Sequence, residues 1–386
     1  MAVDGQRWRV AGRAVKLVCS CVRDPARLLD GTEKLAPVNP APRDGDLVLV
    51  RCMDGSGAYD HVEDTAGAPV KLYRGDVFLA TLGTRRSGTN LIGEVPRRPL
   101  SAGDRLDLVA QGGLIATCIA VPAYYGARAL PVEVVGFAGG ADGAVRNIAD
   151  APEIPVARTQ PPRLGKLILF VGGTSAEVGK TTMVCALDVA AKARSPALRT
   201  AAIKACGTGR ARDVLHYRAA NYDVVTDFVD AGMVSTYGVP PEAFTMMLRT
   251  LIHHCEERAD LVVVEIGGDF LEARAPEALA VMADMAAHSL MMVNDAMGAL
   301  EGLRQLRELG RSPIRIGTFR QNPRALAERL GVRPDQVINS ADSAAIDRLV
   351  GELLADGATS SGPAAREDRA KSNGLAEVPS GRGGRT

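Results

Sequence analysis

Aromatic side chains are scarce in this sequence, only 4% of its 386 residues, and no basic run carries interleaved aromatics. Stacking platforms for nucleic-acid bases need such rings, so that class of binding is not expected. Charge of either sign is also nearly absent in the net: Lys+Arg 46 against Asp+Glu 45 leaves +1. No global positive field draws the chain to nucleic acid. Long hydrophobic runs are missing too. None approaches the ~18–20 residues that a membrane span needs. Near the N-terminus, Arg9, Arg13 and Lys16 interrupt any secretory apolar segment. The seven cysteines are scattered, and the close pair Cys19-x-Cys21 has no partner pair at zinc spacing. An odd count without a secretion signal reads as reduced thiols. The five histidines hold no metal spacing. His253 and His254 are adjacent on an expected helix and point in different directions. These absences lead us to expect a soluble, cytoplasmic protein with no nucleic acid and no membrane as partner.

Hydrophobic residues make up 46% of the chain, enough for real cores, and the length suggests two or three domains. Residues 1–40 are ambiguous apart from an apolar run, Val15–Val22. From about 44 to 140 the pattern is short β-runs and glycine turns. Gly45-Asp46, Gly75-Asp76 and Gly103-Asp104 each precede an apolar run, which is turn chemistry. Residues 1–150 therefore read as a mainly-β N-terminal domain, a small barrel or sandwich. Two of its loops carry binding chemistry. Thr84–Asn90 joins Arg85 and Arg86 to hydroxyl and amide side chains, which suits a carboxylate or phosphate. Gln111-Gly112-Gly113 allows close approach of a ligand; solvated turns are the alternative for both. Prolines at 152, 155, 161 and 162 mark 151–163 as a linker.

Residues 164–356 alternate strand and helix. Strands are expected at 166–171, 199–204, 261–265, 289–293 and 313–318. Helices are expected at 180–194, 241–257, 276–287, 296–309 and 343–355. Near-continuous apolar strands between helices predict an α/β fold, a parallel sheet covered by helices on both faces. From 357 to 386 the sequence turns to Gly, Ser, Ala, Arg and Lys, the composition of a disordered tail.

Within that second domain, the apolar run Leu167–Val171 enters Gly172-Gly173-Thr174-Ser175-Ala176-Glu177-Val178-Gly179-Lys180-Thr181-Thr182, followed by a helical pattern. Strand, glycine turn and helix start are the parts of a phosphate loop. Its backbone N–H groups and helix dipole converge on an anion. Lys180 would reach the β- and γ-phosphates, and the Thr181 hydroxyl would ligate Mg²⁺. The usual spacing places four residues between the two glycines. Here Thr174 stands where the first would fall, and Gly173 leaves one residue more.

The longer loop, G-T-S-A-E-V-G-K-T at 173–181, resembles that of dethiobiotin synthetase and its P-loop relatives. Lys204-Ala205-Cys206-Gly207-Thr208-Gly209 resembles the family's lysine segment. Leu261-Val262-Val263-Val264-Glu265-Ile266-Gly267-Gly268 resembles its glutamate-bearing strand end. The resemblance spans roughly residues 165–350, and uncharacterised relatives also carry a leading domain. It implies ATP and Mg²⁺ as cofactors, a homodimer, and a small amino-acid-like substrate. Lys180, Lys204, Glu177 and Thr208 become the catalytic candidates. Lys204 would hold a substrate carboxylate or carbamate and the γ-phosphate, Thr208 a carboxylate or the γ-phosphate, and Glu177 a substrate amine. Gly173, Thr174, Ser175, Val178, Gly179, Lys180, Thr181 and Thr182 would cradle the phosphates. Asn294, Asp295, Gln321 and Asn322 offer side chains to read an adenine, Asn322 foremost. Thr181 and Glu265 are the metal candidates, with Asp269 and Glu272 as alternatives to Glu265. One residue of the acidic stretch Asp213, Asp223, Asp227 and Asp230 would join them or meet the substrate amine, Asp213 first. The sequence departs from the family at Ser175, where an aspartate ligates Mg²⁺, at Ala176, and by one glycine in 265–268.

The reaction implied is phosphoryl transfer from ATP to a carboxylate or carbamate, then attack by an amine. Rivals are a P-loop acyltransferase acting on an amino acid, the ATP-using half of an amidotransferase, and a partitioning-type ATPase switch. The switch loop usually carries a lysine where this chain has Thr174.

Overall fold

The structure, a computed structural model, describes residues 8–360 except 33, 141, 142, 286, 312 and 313, with side chains up to 356. Each of the three glycine–aspartate turns opens a strand, as expected: Leu47–Cys52, Val77–Leu82 and Arg105–Ala110. Gly45, Gly75 and Gly103 hold φ of 89°, 93° and 92°, left-handed values that a Cβ would strain. Arg105–Ala110 pairs Leu130–Ala138, which pairs Leu47–Cys52, which pairs Val77–Leu82. Leu114–Ala120 then pairs both Val77–Leu82 and Arg105–Ala110, closing the ring. The N-terminal domain is thus a barrel, which leaves few sheet edges open. A short ribbon, Arg85–Arg86 with Ile92–Glu94, extends from Leu114–Ala120.

The second domain is a seven-stranded parallel sheet with helices on both faces. Its order is Val224–Asp227, Thr200–Lys204, Leu261–Glu265, Leu167–Gly173, His288–Val293, Arg315–Thr318, Val337–Asn339. The five expected strands are all present. The edge strands Val224–Asp227 and Val337–Asn339 and the helices Ala211–Ala220 and Pro323–Leu330 went unread. The last helix, Ser343–Ser360, runs past the boundary expected at 356. The rest of the expected tail lies outside the described residues. Among the described residues, no helix is long and apolar enough to cross a membrane.

The two domains share one core. Val18, Leu49, Leu79 and Val109 of the barrel pack in the same cluster as Phe228, Val234 and Ile203. The ambiguous run Val15–Val22 is the wedge between them, and the Cys21 thiol donates to the Gly209 carbonyl at 3.3 Å. Charge follows the same seam. The Arg23 guanidinium meets Asp227 at 2.5 Å, and both are largely buried. The prolines of 151–163 lie along the second domain: Ile154 N–H donates to the Asp230 carbonyl and Ala157 N–H to the Thr250 hydroxyl. The close approach expected at Gly112 serves this seam and not a ligand. A Cβ there would sit 2.0 Å from the Gly209 carbonyl oxygen.

Gly112→Ala should therefore destabilise the whole molecule by about 1–3 kcal/mol, as overpacking does. Chemical unfolding should show a lowered midpoint for both domains together. An unshifted midpoint, or loss of the barrel alone, would contradict the shared core.

Candidate functional site

The phosphate-loop strand, Leu167–Gly173, lies between Leu261–Glu265 and His288–Val293. It delivers the loop to the C-terminal edge of the sheet, where α/β ligands bind. A Cβ on Gly173 would lie 2.7 Å from the Val178 side chain, so the loop closes on that glycine despite its extra residue. Gly179 turns at φ 90° into the helix Lys180–Arg194. Glu177 also adopts positive φ, 60°, unusual for a side-chain-bearing residue and typical of functional turns. Thr174 N–H donates to the Met292 carbonyl. The Ser175 hydroxyl accepts from Asn294 Nδ2 at 2.8 Å, and Gln321 Nε2 donates to the Asn294 carbonyl at 2.9 Å.

Lys180 is only 6% exposed. Its ammonium donates to the Ser175 and Gly268 carbonyls at 2.7 and 2.6 Å and, among the described residues, makes no ion pair. Burial pulls its pKa down to about 8, against which the Glu265 charge works upward. A buried cation without a counter-ion is costly unless something anionic arrives.

Glu265 joins the remaining parts. Parallel register sets it beside Lys204 on one side and Val171 on the other. Its carboxylate accepts from the Thr181 hydroxyl at 3.1 Å, from Lys204 at 2.5 Å and from the Tyr217 hydroxyl at 2.5 Å. Lys204 also meets Asp213 at 2.8 Å. Burial alone would lower the Lys204 pKa, yet the Asp213 and Glu265 charges outweigh it and raise it strongly. Asp213 is held below the usual carboxylate range by Lys204 in spite of its burial. Burial and the Glu265 charge push the Tyr217 hydroxyl well up, so it stays a donor.

Glu177, Lys180, Thr181, Thr182, Lys204, Asp213 and Glu265 line one open cleft of about 830 Å³. Arg212 and His216 line it as well, and sequence reasoning missed them because the helix Ala211–Ala220 went unread. Its signal was present: Ala211, Val214 and Tyr217 recur at helical spacing and are buried. Other candidates lie apart from the lining. Thr208 bridges to Ser235. Asn322 caps the helix Pro323–Leu330, its Oδ1 accepting from Arg324 and Ala325 N–H. Of the acidic stretch, Asp213 alone lines the cleft. Asp223 holds Lys192, while Asp227 and Asp230 hold Arg23.

Glu63 of the barrel reaches the same helix. Its carboxylate accepts from Ala211 N–H at 2.8 Å and from Arg210 at 2.9 Å. That helix has no side-chain cap of its own from Arg210, so the barrel supplies one.

Among the described residues, no three His, Cys, Asp or Glu come together to hold a metal unaided. The Thr181 hydroxyl and Glu265 carboxylate are nonetheless hard oxygen donors side by side at the loop. Mg²⁺ is ordinarily held by one or two such groups with phosphate oxygens and water, so this donor set fits it.

No protein-family model matches the chain, and no curated protein matches it. Among solved structures it is similar to the kinase domain of the Escherichia coli tyrosine kinase ETK: 18% identity, 40% of this chain, 68% of that one, TM-score 0.28. It is also similar to a ParA family ATPase from Chlorobium tepidum TLS: 11% identity, 49% of this chain, 98% of that one, TM-score 0.29.

Lys180 should leave a mark on stability. Its folded pKa of about 8 lies below its ordinary value of 10.5. The unfolded chain thus holds more protons between those values, and the penalty, complete below pH 8, fades as pH rises through the window. Urea unfolding of the wild type and Lys180→Met at pH 7 and 9.5 should show the wild type gaining on the variant by on the order of 1–3 kcal/mol. A pH-independent difference would mean that Lys180 is solvated in the free protein.

Proposed function

We propose that this chain is an ATP-dependent ligase-type enzyme, activating a carboxylate or carbamate of a small amino-acid-like substrate for attack by an amine. One observation carries the reading. A second cation, the partly buried Lys204, stands in the same cleft as the phosphate-loop lysine, fixed there by Glu265 and Asp213. Under nucleotide hydrolysis alone that lysine would only hold Glu265, whereas an anionic acceptor beside the γ-phosphate gives its charge a part in the chemistry.

The chemistry follows from positioning and charge. An acceptor carboxylate oxygen attacks the γ-phosphorus in line. The bond to the β,γ-bridging oxygen breaks, and ADP leaves with the electron pair. The amine then attacks the activated carbonyl carbon, inorganic phosphate departs, and the amine's proton passes to solvent. Lys180 and Lys204 offset the charge on the transferred group. Bound Mg²⁺, held by Thr181 and Glu265, would neutralise charge on the β- and γ-phosphates. Tyr217 and Lys204 fix the Glu265 carboxylate in place, and Glu177 at the mouth of the cleft offers a negative charge to an amine.

Two variants test the reading. Lys180→Ala should abolish ATP turnover while the protein stays folded. Lys204→Ala strips Glu265 of one partner and should lower the unfolding midpoint, yet the folded protein should still bind ATP and lose acceptor-dependent ADP release by roughly 10²-fold or more, the scale of one charge-stabilising contact. Measurement is ADP release across a panel of amino and diamino acids, with and without bicarbonate. If no acceptor stimulates the wild type while DNA, lipid or a protein does, the chain is a switch and not a ligase.

For the metal, Glu265→Gln should raise the magnesium concentration needed for half-maximal turnover by roughly 10- to 100-fold. Unchanged magnesium dependence would move the ligand role away from Glu265.

A further inference from the structure

Arg85 sits on the barrel rim facing the second domain and is 8% exposed. Its Nη1 donates to the Tyr59 hydroxyl at 3.0 Å and to the Val109 carbonyl at 2.6 Å. Its Nε is buried without a hydrogen-bond partner. The guanidinium also lies 5.8 Å from the centre of the Tyr59 ring. Among the described residues it makes no ion pair. A buried guanidinium with two neutral acceptors, a distant ring and an unused N–H is poorly compensated.

Across the seam stands an unmatched charge of opposite sign. Glu272 accepts from Gly88 N–H at 3.0 Å and from the Tyr237 hydroxyl at 3.4 Å, and it too makes no ion pair among the described residues. Arg85 and Glu272 both act on Tyr237, whose hydroxyl is pushed up by burial and by Glu272 and drawn down by Arg85. Arg85 belongs to the same barrel-rim loop as Gly88, whose N–H Glu272 holds, and among the described residues no ion pair joins the two. The position is next to the chemistry: a Cβ on Gly268 would lie 2.3 Å from Glu272 Oε1, and the Gly268 carbonyl accepts from Lys180.

We propose that the Arg85–Glu272 junction binds a free α-amino acid, its carboxylate on the guanidinium and its ammonium on the Glu272 carboxylate. A zwitterion of that form answers both unmatched charges at once, and a guanidinium suits a carboxylate in particular. The Tyr59 hydroxyl, itself tied to Tyr125 and Asn90, fixes Arg85 from behind. The barrel then acts as the substrate-recognition domain, holding an acceptor against the phosphate-loop domain. This last role rests on the ligase reading; the binding does not.

The test is calorimetry and thermal shift on the full chain without nucleotide. The probes are alanine, aspartate, glutamate and lysine in L and D form, each with its N-acetyl and methyl-ester derivative. At least one free amino acid should bind and raise the melting midpoint. Acetylation, which removes the ammonium, and esterification, which removes the carboxylate, should each weaken it roughly 10- to 100-fold. Glu272→Gln retains an acceptor for Gly88 N–H and should erase the preference for the free amine over the N-acetyl form. Arg85→Met should erase the preference for the acid over the ester. A merely structural role for either residue would move stability and leave both preferences intact, which would overturn the proposal. So would failure of every probe to bind the wild type, with or without magnesium and ATP. Binding with the expected signature but no ADP release by any binder would contradict the ligase reading and leave this site standing.

Discussion

Glu265 is 1% exposed and yet carries three hydrogen bonds that belong to three different elements. Through Thr181 it meets the phosphate-loop helix, through Lys204 the neighbouring strand, and through Tyr217 the helix Ala211–Ala220. A carboxylate so deep is tolerable because it is paired and fully bonded; stripped of one partner it would become a severe liability. Lys204 is in the same position, since Glu265 and Asp213 are what keep it charged inside the protein. The arrangement is mutually enforcing. It holds the hydroxyl, two carboxylates and a lysine within one cleft, and among the described residues Lys180 beside them makes no ion pair.

The barrel is coupled to that network by charge and not only by apolar contact. Glu63 caps the helix that bears Asp213, Arg212 and His216. Arg23 neutralises Asp227, at the end of an edge strand in register with Lys204. Gly88 of the barrel rim donates to Glu272, four residues beyond the carbonyl that Lys180 holds. Both walls of the site thus lean on the N-terminal domain, and the shared hydrophobic cluster fixes the lean.

Much of this was legible in the sequence wherever the signal was local. The glycine–aspartate turns announced three barrel strands, and apolar runs such as Leu261–Val264 announced the sheet. The phosphate loop gave Lys180 and Thr181 directly, and the ends of two apolar runs gave Lys204 and Glu265. What stayed hidden depends on long-range partners. Val224–Asp227 is a short edge strand whose acidic end is stabilised by Arg23, more than two hundred positions away. The helix Ala211–Ala220 begins with a cap donated by the other domain, so no capping residue marked its start. Gly112 looked like a ligand-facing glycine because a backbone at van der Waals contact and a ligand ask the same thing of a glycine. Arg85 read as part of an open loop, whereas it is buried at a seam that only the folded pair of domains creates.

The central claim is that the cleft activates a carboxylate by joining it to the γ-phosphoryl group of ATP. Positional isotope exchange tests it most directly, using ATP labelled with ¹⁸O at the β,γ-bridging oxygen and no amine present. Reversible formation of an acyl phosphate and ADP predicts scrambling of the label into the non-bridging β-oxygens, dependent on a carboxylate or carbamate acceptor. ATP consumed at full rate without scrambling under any acceptor would contradict the account.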